Sequence, residues 1–478
     1  MKKAVVYFAL LIVAIAGSFA ARAANAPALA KNSAAGLDDQ ESVDVTVYNS
    51  DIGLIKDIRQ LTLPSGLTEL RFGEVAAKIM PQTVHIKSLT HPNQLHVLEQ
   101  NYEYDLLTPR KLLDKFVGKE IMVLKDGIEV PVTILSTNEG LVYKLGNRIL
   151  TGQPQNLIFP SIPANLISQP TLLWSLENRT VSAQKVEASY LTRGLNWKAD
   201  YVAVLDSKDK NLDLSGWVTL DNQSGATYQN ARLKLVAGDL NRVVEECKAR
   251  NATAGRMELA SKVAAAAAPF AEQSFFEYHL YSLQRPTTIK NQQTKQVSLL
   301  SADRIPVSKR YIFTGSPQYF HSRFTGVMPK QKVGVFVELA NKKDNNLGMP
   351  LPKGTLRVYK ADTDGSLQFI GEDRIDHTPK DEMIKIKMGD AFDVVAERKQ
   401  TDWHKIADNL YEAAFKISLR NHKDEPVTVS VIEPMMRDWE ILTSSHTHKK
   451  IEAFTAQFEI PRAKDGETKL AYRARYKF

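Results

Sequence analysis

Hydrophobic and polar residues alternate with a period of two along much of the chain. The pattern is clearest toward the C-terminus, where apolar side chains occupy every second position of 333–339, 384–388, 415–419, 427–431 and 454–460. Such alternation puts one face of a β-strand in a core and the other toward water. Short strands at this spacing predict an all-β protein, a multi-domain antiparallel β-sandwich of the immunoglobulin-like type.

A short helix and a group of short strands are predicted in the first half of the chain. Thr108 can cap the first backbone amides of a helix, and Pro109 suits its first position. The apolar side chains of this helix would share one face: Leu112, Leu113, Phe116 and Val117. Gly118 would end the helix. Several apolar runs separated by glycines follow between 119 and 160, and they predict a small SH3-like barrel.

The region 171–244 also alternates, and its large aromatic side chains are expected to fill a sandwich core rather than to line a ligand site. They are Tyr190, Trp197, Tyr201 and Trp217. An Ala-rich stretch over 247–273 lacks alternation and indicates an exposed helical or disordered insertion. The chain is thereby divided into a signal peptide (1–23), a flexible leader (24–41), an N-terminal β domain (42–107), a helix with the small barrel (108–165), a β-sandwich region containing the insertion (166–325) and a C-terminal immunoglobulin-like β-sandwich (326–478).

The first residues have the order of an export signal. Lys2 and Lys3 precede an apolar run over 4–16, and the small-residue sequence Ala21-Arg22-Ala23 follows. A signal peptidase recognises this order, so we expect cleavage after Ala23. An uncleaved anchor is disfavoured because the apolar run is shorter than the ~20 residues that span a hydrocarbon core. The protein is therefore expected in the periplasm or outside the cell.

Net charge and cysteine content indicate which partners and which disulfide bonds are not expected. The chain has 62 Lys and Arg against 54 Asp and Glu, a formal net charge of +8, and the predicted signal peptide carries Lys2, Lys3 and Arg22. Because basic and acidic residues are interleaved, no field suited to a phosphate backbone is expected, and nucleic acid is not a predicted partner. The single cysteine, Cys247, excludes an intrachain disulfide.

The sequence lacks the signatures of common catalytic and cofactor sites. It contains no Gly-x-Ser-x-Gly, phosphate-loop, His-Glu-x-x-His or Cys-x-x-Cys motif. His446 and His448 would share one face of an extended strand and supply half of a zinc site, but two ligands do not hold zinc. A solvated loop is the favoured interpretation. We therefore assign no catalytic, cofactor-binding or metal-binding residue, and these two histidines are the weak metal candidates.

The last strand permits a second interpretation of the fold. Apolar and basic residues alternate over 470–478 and the sequence ends in Phe478, which is similar to the ending of outer-membrane β-barrels. In a sandwich the face with Leu470, Tyr472, Tyr476 and Phe478 packs into a protein core, whereas in a barrel it meets lipid. The sandwich is favoured because a barrel needs spanning strands of ~9 to 11 residues throughout.

Several stretches of the chain carry a family resemblance. They are 191–201, 235–242, 351–359, 371–379 and 420–427. Through them the residues from about 181 to 478 resemble the C-terminal domain of the bacterial mucoidy-inhibitor-A-like family, a domain of unknown function (family 4139). Residues 45–49 look like the family's N-terminal strand, although the long coiled coil of some members is absent here. The resemblance implies a secreted, β-rich envelope protein and supplies no catalytic residues.

Export, architecture and the lack of catalytic motifs together favour an exported cell-envelope protein. It is expected to act as a non-enzymatic binding, assembly or structural module without a cofactor. An unknown envelope protein or polysaccharide is the expected partner, with at most peripheral membrane contact. The alternatives are an envelope hydrolase with an unrecognised site and an outer-membrane β-barrel protein.

Overall fold

The structure is a computed structural model that describes residues 31–125, 127–152, 154, 156–163, 166–238, 241, 270–324, 331–436 and 438–477. The chain divides into two compact units. The first comprises Met1–Ser42, Asp57–Ala77 and Pro81–Ser189, and the second comprises Val43–Lys56, Lys78–Met80 and Tyr190–Phe478. No helix in the described part of the chain is long and apolar enough to cross a membrane.

β-Strands dominate the described residues, as the alternation predicts. In the first part of the chain they are β1 (Lys31–Ala35), β2 (Gln40–Tyr48), β3 (Ile52–Leu61), β4 (Gly66–Phe72), β5 (His85–Ser88), β6 (Leu95–Glu103), β7 (Glu120–Lys125), β8 (Ile128–Ser136), β9 (Val142–Leu145), β10 (Arg148–Thr151), β11 (Leu157–Ile158), β12 (Thr171–Asn178) and β13 (Gln184–Arg193). The α-helix α1 spans Pro109–Lys115, and short 3-10 helices span Leu37–Asp39, Pro81–Thr83, Pro317–Phe320 and Lys343–Asn345.

The later strands include three that are long and bulged. They are β14 (Leu195–Leu205), β15 (Asn211–Asn222), β16 (Tyr228–Ala237), β17 (Phe270–Phe275), β18 (Tyr278–Leu283), β19 (Thr287–Ile289), β20 (Gln293–Thr314), β21 (Gln331–Ala340), β22 (Gly354–Ala361), β23 (Leu367–Ile375), β24 (Met383–Ala407), β25 (Leu410–Asn421), β26 (Val427–Pro434), β27 (Trp439–Ser444), β28 (His448–Glu452), β29 (Thr455–Arg462) and β30 (Gly466–Lys477). Register shifts interrupt the pairing of β15 with β20 and of β24 with its neighbours. Along its length β20 pairs first with β15 and then with β21, and β24 pairs first with β21 and then with β25.

One sheet of the first unit has the strand order β1-β4-β12-β6. β1 runs parallel to β4, and the other neighbours are antiparallel. Phe72 and Trp174 are fully buried, and their rings meet edge to face at a centroid distance of 5.7 Å. Trp174 Nε1 donates a hydrogen bond to Gln100 Oε1 at 2.9 Å, which satisfies the indole inside the core.

The sequence prediction of a flexible leader over 24–41 is wrong for the described residues 31–41. The described part of that stretch forms β1, a short 3-10 helix and the start of β2. The physical reason is the buried side chain of Arg59, which donates to the carbonyl oxygens of Ala35 and Gly73 at 2.9 Å each. Asp57 balances its charge at 2.8 Å. Buried polar contacts of this kind fasten a segment too short to show alternation.

The small sheet of the first unit has the order β10-β9-β8-β7-β11. It packs with α1 around a core of Leu113, Phe116, Ile121, Val123, Val132, Ile134 and Leu141. The helix start is confirmed, since Thr108 Oγ1 accepts a hydrogen bond from Lys111 N at 3.2 Å. Val117, predicted on the buried face, is exposed. The predicted SH3-like barrel is corrected to an open sheet, because the edge strands β10 and β11 are too short to close it.

The largest sheet lies in the second unit. Its strand path is β23-β22-β14-β15-β20-β21-β24-β25-β30-β27, and β26 leaves the path by pairing with both β20 and β29. The path folds back on itself, because Phe458 of β29 stacks on Tyr472 of β30 at 5.3 Å. Tyr472 also stacks on Phe415 of β25 at 5.4 Å. These contacts make the C-terminal part a β-sandwich with an aromatic core, in agreement with the predicted all-β fold class.

The faces of β30 agree with the sandwich interpretation of the last strand. Leu470, Tyr472 and Tyr476 are buried, while Arg473 and Arg475 lie on the opposite face. Phe478, predicted on the buried face, lies outside the described residues. In the 171–244 region, the predicted core residues Tyr190, Trp197 and Tyr201 are buried. Trp217 is only half-buried, because the alternation of β15 places its even-numbered positions inward and Trp217 between them.

The predicted Ala-rich insertion is shorter at its C-terminal end than the sequence indicates. Residues 270–273 belong to β17, which pairs with β18 in a hairpin. The rest of the stretch, 247–269, lies outside the described residues and includes Cys247. In the second unit β18 continues the sheet onto β16, and β16 runs parallel to residues 44–48 of β2.

Four buried asparagines lie at strand ends and hold the following loops: Asn178, Asn222, Asn341 and Asn421. The side-chain amide of each donates to two or three backbone carbonyls of neighbouring loops. A loop carbonyl that receives no hydrogen bond from a neighbouring strand is costly to bury. One side-chain amide that donates to several such carbonyls therefore fixes the loop conformation. At Asn222 this arrangement joins the loop that follows β15 to the turn between β19 and β20.

Candidate functional site

A polar cavity of about 610 Å³ opens between two loops of the second unit. The first loop follows β15, and the second is the turn between β19 and β20. The cavity is lined by Lys78, Asp221, Gln223, Gly225, Asn291, Gln292 and Thr294. Its volume lies in the range of small-ligand sites, and its lining residues carry amide, carboxylate, hydroxyl and ammonium groups.

Asn222 holds the two loops together beneath the cavity. Its side chain is fully buried, and its Nδ2 donates to Ala226 O at 2.9 Å and to Lys290 O at 3.0 Å. Its Oδ1 accepts from the backbone N of Ser224 at 3.0 Å and from the Ser224 hydroxyl at 2.8 Å. Ser224 Oγ in turn lies 2.9 Å from Tyr228 Oη. A fully satisfied buried network makes the loops rigid.

Two glycines permit close backbone approach at the cavity wall. Gly194 has a φ of +83°, and a Cβ there would lie 2.6 Å from the carbonyl oxygen of Gln223. Gln223 N donates to Gly194 O at 2.6 Å. Gly225, with a φ of +91°, donates its backbone N–H to Asn291 Oδ1 at 3.1 Å. Glycine adopts both conformations without strain, and at Gly194 the close approach of Gln223 also leaves no room for a side chain.

The polar groups of the cavity are oriented by one another. Asp221 Oδ2 accepts from Gln223 Nε2 at 2.9 Å, and Asp221 Oδ1 accepts from Thr294 Oγ1 at 3.2 Å. The backbone of Lys78 is held on both sides, by Ser224 O and by Arg193 N. Within the described residues the Lys78 ammonium has no ion-pair partner. The cavity therefore presents donors and acceptors side by side, together with the ammonium-bearing side chain of Lys78.

The two histidines considered as weak metal candidates lie in and after the turn that follows β27. The imidazole of His446 contacts Ser445 Oγ at 2.9 Å through Nδ1. His448 begins β28 and packs its ring against Trp439 and Phe458, with centroid distances of 6.4 and 5.8 Å. Across the described ranges, no three His, Cys, Asp or Glu side chains are grouped so that they could hold a metal ion. These two histidines are thus not joined by a third ligand there.

A charged cluster on the outer face of β24, β25 and β30 was missed by the sequence analysis. His404 lies between two carboxylates, with Nδ1 3.5 Å from Asp402 and Nε2 3.7 Å from Glu412. Arg473 donates to Asp402 at 2.7 Å, and Arg475 donates to Glu412 at 2.8 Å. The hydrogen bond from Arg473 lowers the pKa of Asp402 below its usual value. A carboxyl held ionised in this way is not suited to act as a general acid.

The sequence signals for the cavity and for the charged cluster differ. The turn from Asp221 to Gly225 is visible as a polar break between strands, but its partner at 290–294 has no distinctive pattern. The charged cluster depends on the register that places His404 opposite Glu412 and Glu412 opposite Arg475. Register across long bulged strands does not follow from alternation.

Comparison with known proteins gave a match to a family model. The model of the domain of unknown function DUF4139 matches residues 186–472. A search of curated proteins gave no match. The matched region contains both cavity loops, from Asp221 to Gly225 and from Asn291 to Thr294. Of the charged cluster it contains Asp402, His404 and Glu412, and Arg473 and Arg475 lie just beyond it. Because the match covers more than half of the chain, the chain belongs to the DUF4139 family.

Proposed function

We propose that this protein is exported to the cell envelope and acts there as a non-enzymatic binding module whose polar cavity takes a polyhydroxylated ligand, a segment of an envelope polysaccharide. The order of Lys2 and Lys3, the apolar run and Ala21-Arg22-Ala23 supports export. The resemblance to the mucoidy-inhibitor-A-like family supports an envelope role. Mass spectrometry of the mature protein should find its N-terminus at Ala24, and recovery of the intact Met1 terminus from cytosol would contradict export.

The observation that carries the proposal is the chemistry of the cavity lining. A sugar hydroxyl donates one hydrogen bond and accepts others, so it is best met by adjacent donors and acceptors. The cavity supplies the carboxylate of Asp221, the amides of Gln223, Asn291 and Gln292 and the hydroxyl of Thr294. The buried network of Asn222 fixes their backbones before a ligand arrives, which lowers the entropy lost on binding.

The direct test is a calorimetric titration of the purified protein with oligosaccharides prepared from the envelope polymer of the producing cells. Asp221→Ala and Thr294→Val each remove one hydrogen-bonding group from the cavity and should weaken binding by about 3- to 30-fold. Thr363→Val is the matched control, because Thr363 is exposed in the turn between β22 and β23. Unchanged affinity in both cavity variants, or equal loss in the control, would contradict the proposal.

A further inference from the structure

The hairpin of β17 and β18 ends in an exposed aromatic tip. Phe275 and Tyr278 are paired, and Phe276 and Glu277 form the two-residue turn between them. Phe276 is 82% exposed and has a φ of +56°, and Phe275 is 58% exposed. The left-handed region is unfavourable for a bulky side chain and is readily adopted by Gly or Asn. An exposed aromatic residue in a strained turn position points to a role outside the fold of the hairpin itself.

The tip is held in position by the aromatic ring beneath it. The ring of Tyr278 lies 6.1 Å from that of Phe276, centroid to centroid. On its other side Tyr278 packs against Gly238, where an added Cβ would lie 2.4 Å from Tyr278 Cδ1. The two phenylalanines are therefore presented on a supported hairpin, and little ordering is needed when a partner binds.

The hairpin is acidic although the chain as a whole is basic. Residues 270–283 contain Glu272 and Glu277 and no Lys or Arg, whereas the chain has a formal net charge of +8. His279 contacts Glu272 at 2.8 Å, and Glu277 stands in the turn beside Phe276. An acidic aromatic tip complements an apolar hollow bordered by lysines, and it is repelled by an anionic surface.

A hollow of this chemistry lies elsewhere in the second unit of the same chain. It has a volume of about 320 Å³ and is lined by Gln331, Lys332, Asp390, Ala391, Phe392, Val394 and Val395. Phe392 is 94% exposed on a bulge of β24. Lys332 and Lys387 flank the hollow with largely exposed side chains, and each lies 3.7 Å from Asp390.

We propose that the β17–β18 tip of one copy docks into the Phe392 hollow of a second copy. Phe275 and Phe276 then fill the hollow against Phe392, and Glu277 faces Lys332. The two surfaces belong to different strands. The assembly is therefore a two-fold dimer if each copy both gives a tip and receives one from the same partner, and a ring or an open chain if the contact is not reciprocated. A second copy is proposed as the partner because one chain carries both complementary surfaces: a convex acidic aromatic tip and a concave apolar hollow edged by lysines.

Sedimentation equilibrium of the purified protein under reducing conditions tests this proposal. We expect reversible, concentration-dependent association that weakens as salt is raised. Phe276→Asn should weaken association at least about tenfold, because aromatic anchors carry most of the energy of an interface. The same variant should retain or raise the thermal midpoint, since Asn tolerates the left-handed turn, and this separates lost docking from misfolding. Phe454→Ser, at another exposed phenylalanine, is the control and should associate normally.

A charge exchange tests the pairing of the two surfaces. Glu277→Lys and Lys332→Glu should each weaken self-association, and a mixture of the two variants should associate more tightly than either alone. A protein that stays monomeric at all concentrations, or association unchanged in Phe276→Asn, would overturn the proposal. Binding to phosphatidylcholine vesicles that is lost in Phe276→Asn while the protein stays monomeric would also overturn it, because the tip would then serve a lipid surface.

Discussion

Arg398 and Glu433 form a two-point ion pair with both side chains completely buried. The pair joins β24 to β26 inside the aromatic core, and the Arg398 guanidinium lies 5.0 Å from the ring centroid of Tyr319. Burial by itself would lower the pKa of Arg398, but the charge of Glu433 raises it above the usual value. The arginine therefore stays charged, and the fold depends on Glu433 to balance it.

Removing only the carboxylate should be strongly destabilising. Glu433→Leu leaves the Arg398 charge buried without a partner, and we expect a loss of about 3 to 5 kcal/mol in the free energy of unfolding. The double variant Arg398→Met with Glu433→Leu removes both charges and should lose less. Urea denaturation of the wild type, the single and the double variant measures this. A double variant that is less stable than the single one would contradict the account.

Gly315 is required by the same ion pair. A Cβ at this position would lie 2.5 Å from Glu433 Oε2 and 2.9 Å from Arg398 Nη2. Gly315→Ala should therefore destabilise the protein by about 1 to 3 kcal/mol, since the pair cannot move within a packed core. Gly73→Ala is the control, because its Cβ would meet only ordinary contacts at 3.8 Å or more. Equal stability of the two variants would contradict this prediction, because it would show that the Arg398–Glu433 pair can shift to make room for a methyl group.

Asn222 supports both the fold and the cavity. Asn222→Ala leaves the buried carbonyl of Ile289 and the partly buried carbonyls of Ala226 and Lys290 without this donor, and we expect a loss of about 1 to 3 kcal/mol in unfolding free energy. The exposed Asn101 of β6 provides the comparison, and Asn101→Ala should change stability by less than about 0.5 kcal/mol. Thermal or urea unfolding distinguishes the two. Similar losses at both sites would mean that the amide of Asn222 does not hold the loops.

Alkaline stability depends on buried tyrosines. Burial raises the pKa of Tyr476 to about 12, with a smaller opposing effect of the hydrogen bond from Trp403. In the unfolded chain the pKa is ~10, so between these values the unfolded state loses the proton first and stability falls as pH rises. Unfolding free energies measured across this range should decline more gently in Tyr476→Phe. An unchanged slope in that variant would exclude Tyr476 as a contributor.

Alternation predicted the elements whose two faces differ in environment. The burial of Leu470, Tyr472 and Tyr476 follows from the period of two, because one side of β30 meets the core and the other meets water. The start of α1 follows from the hydrogen-bonding capacity of Thr108 and the fixed φ of Pro109. Both signals, the alternation and the helix-capping residues, involve only neighbouring positions in the chain. Such patterns can be recognised in a single sequence.

The contacts that define the cavity and the buried ion pair are not local. Asp221 meets Thr294 across 73 residues, and Arg398 meets Glu433 across 35. Which strands become neighbours, and where β15, β20 and β24 bulge, depends on the packing of the whole sheet. The repeated placement of a buried asparagine at a strand end, as at Asn222 and Asn421, is a signal that was present in the sequence and was not used.

In the proposed function, the cavity between the β15 loop and the β19–β20 turn binds a polyhydroxylated polymer segment. Hydrogen exchange of the purified protein, with and without saturating envelope oligosaccharide, tests it most directly. We expect slower exchange of backbone amides in 223–226 and 290–294, with no change around Asp402 and Glu412. Protection confined to the Asp402–Glu412 cluster, or no protection in either cavity loop, would contradict it.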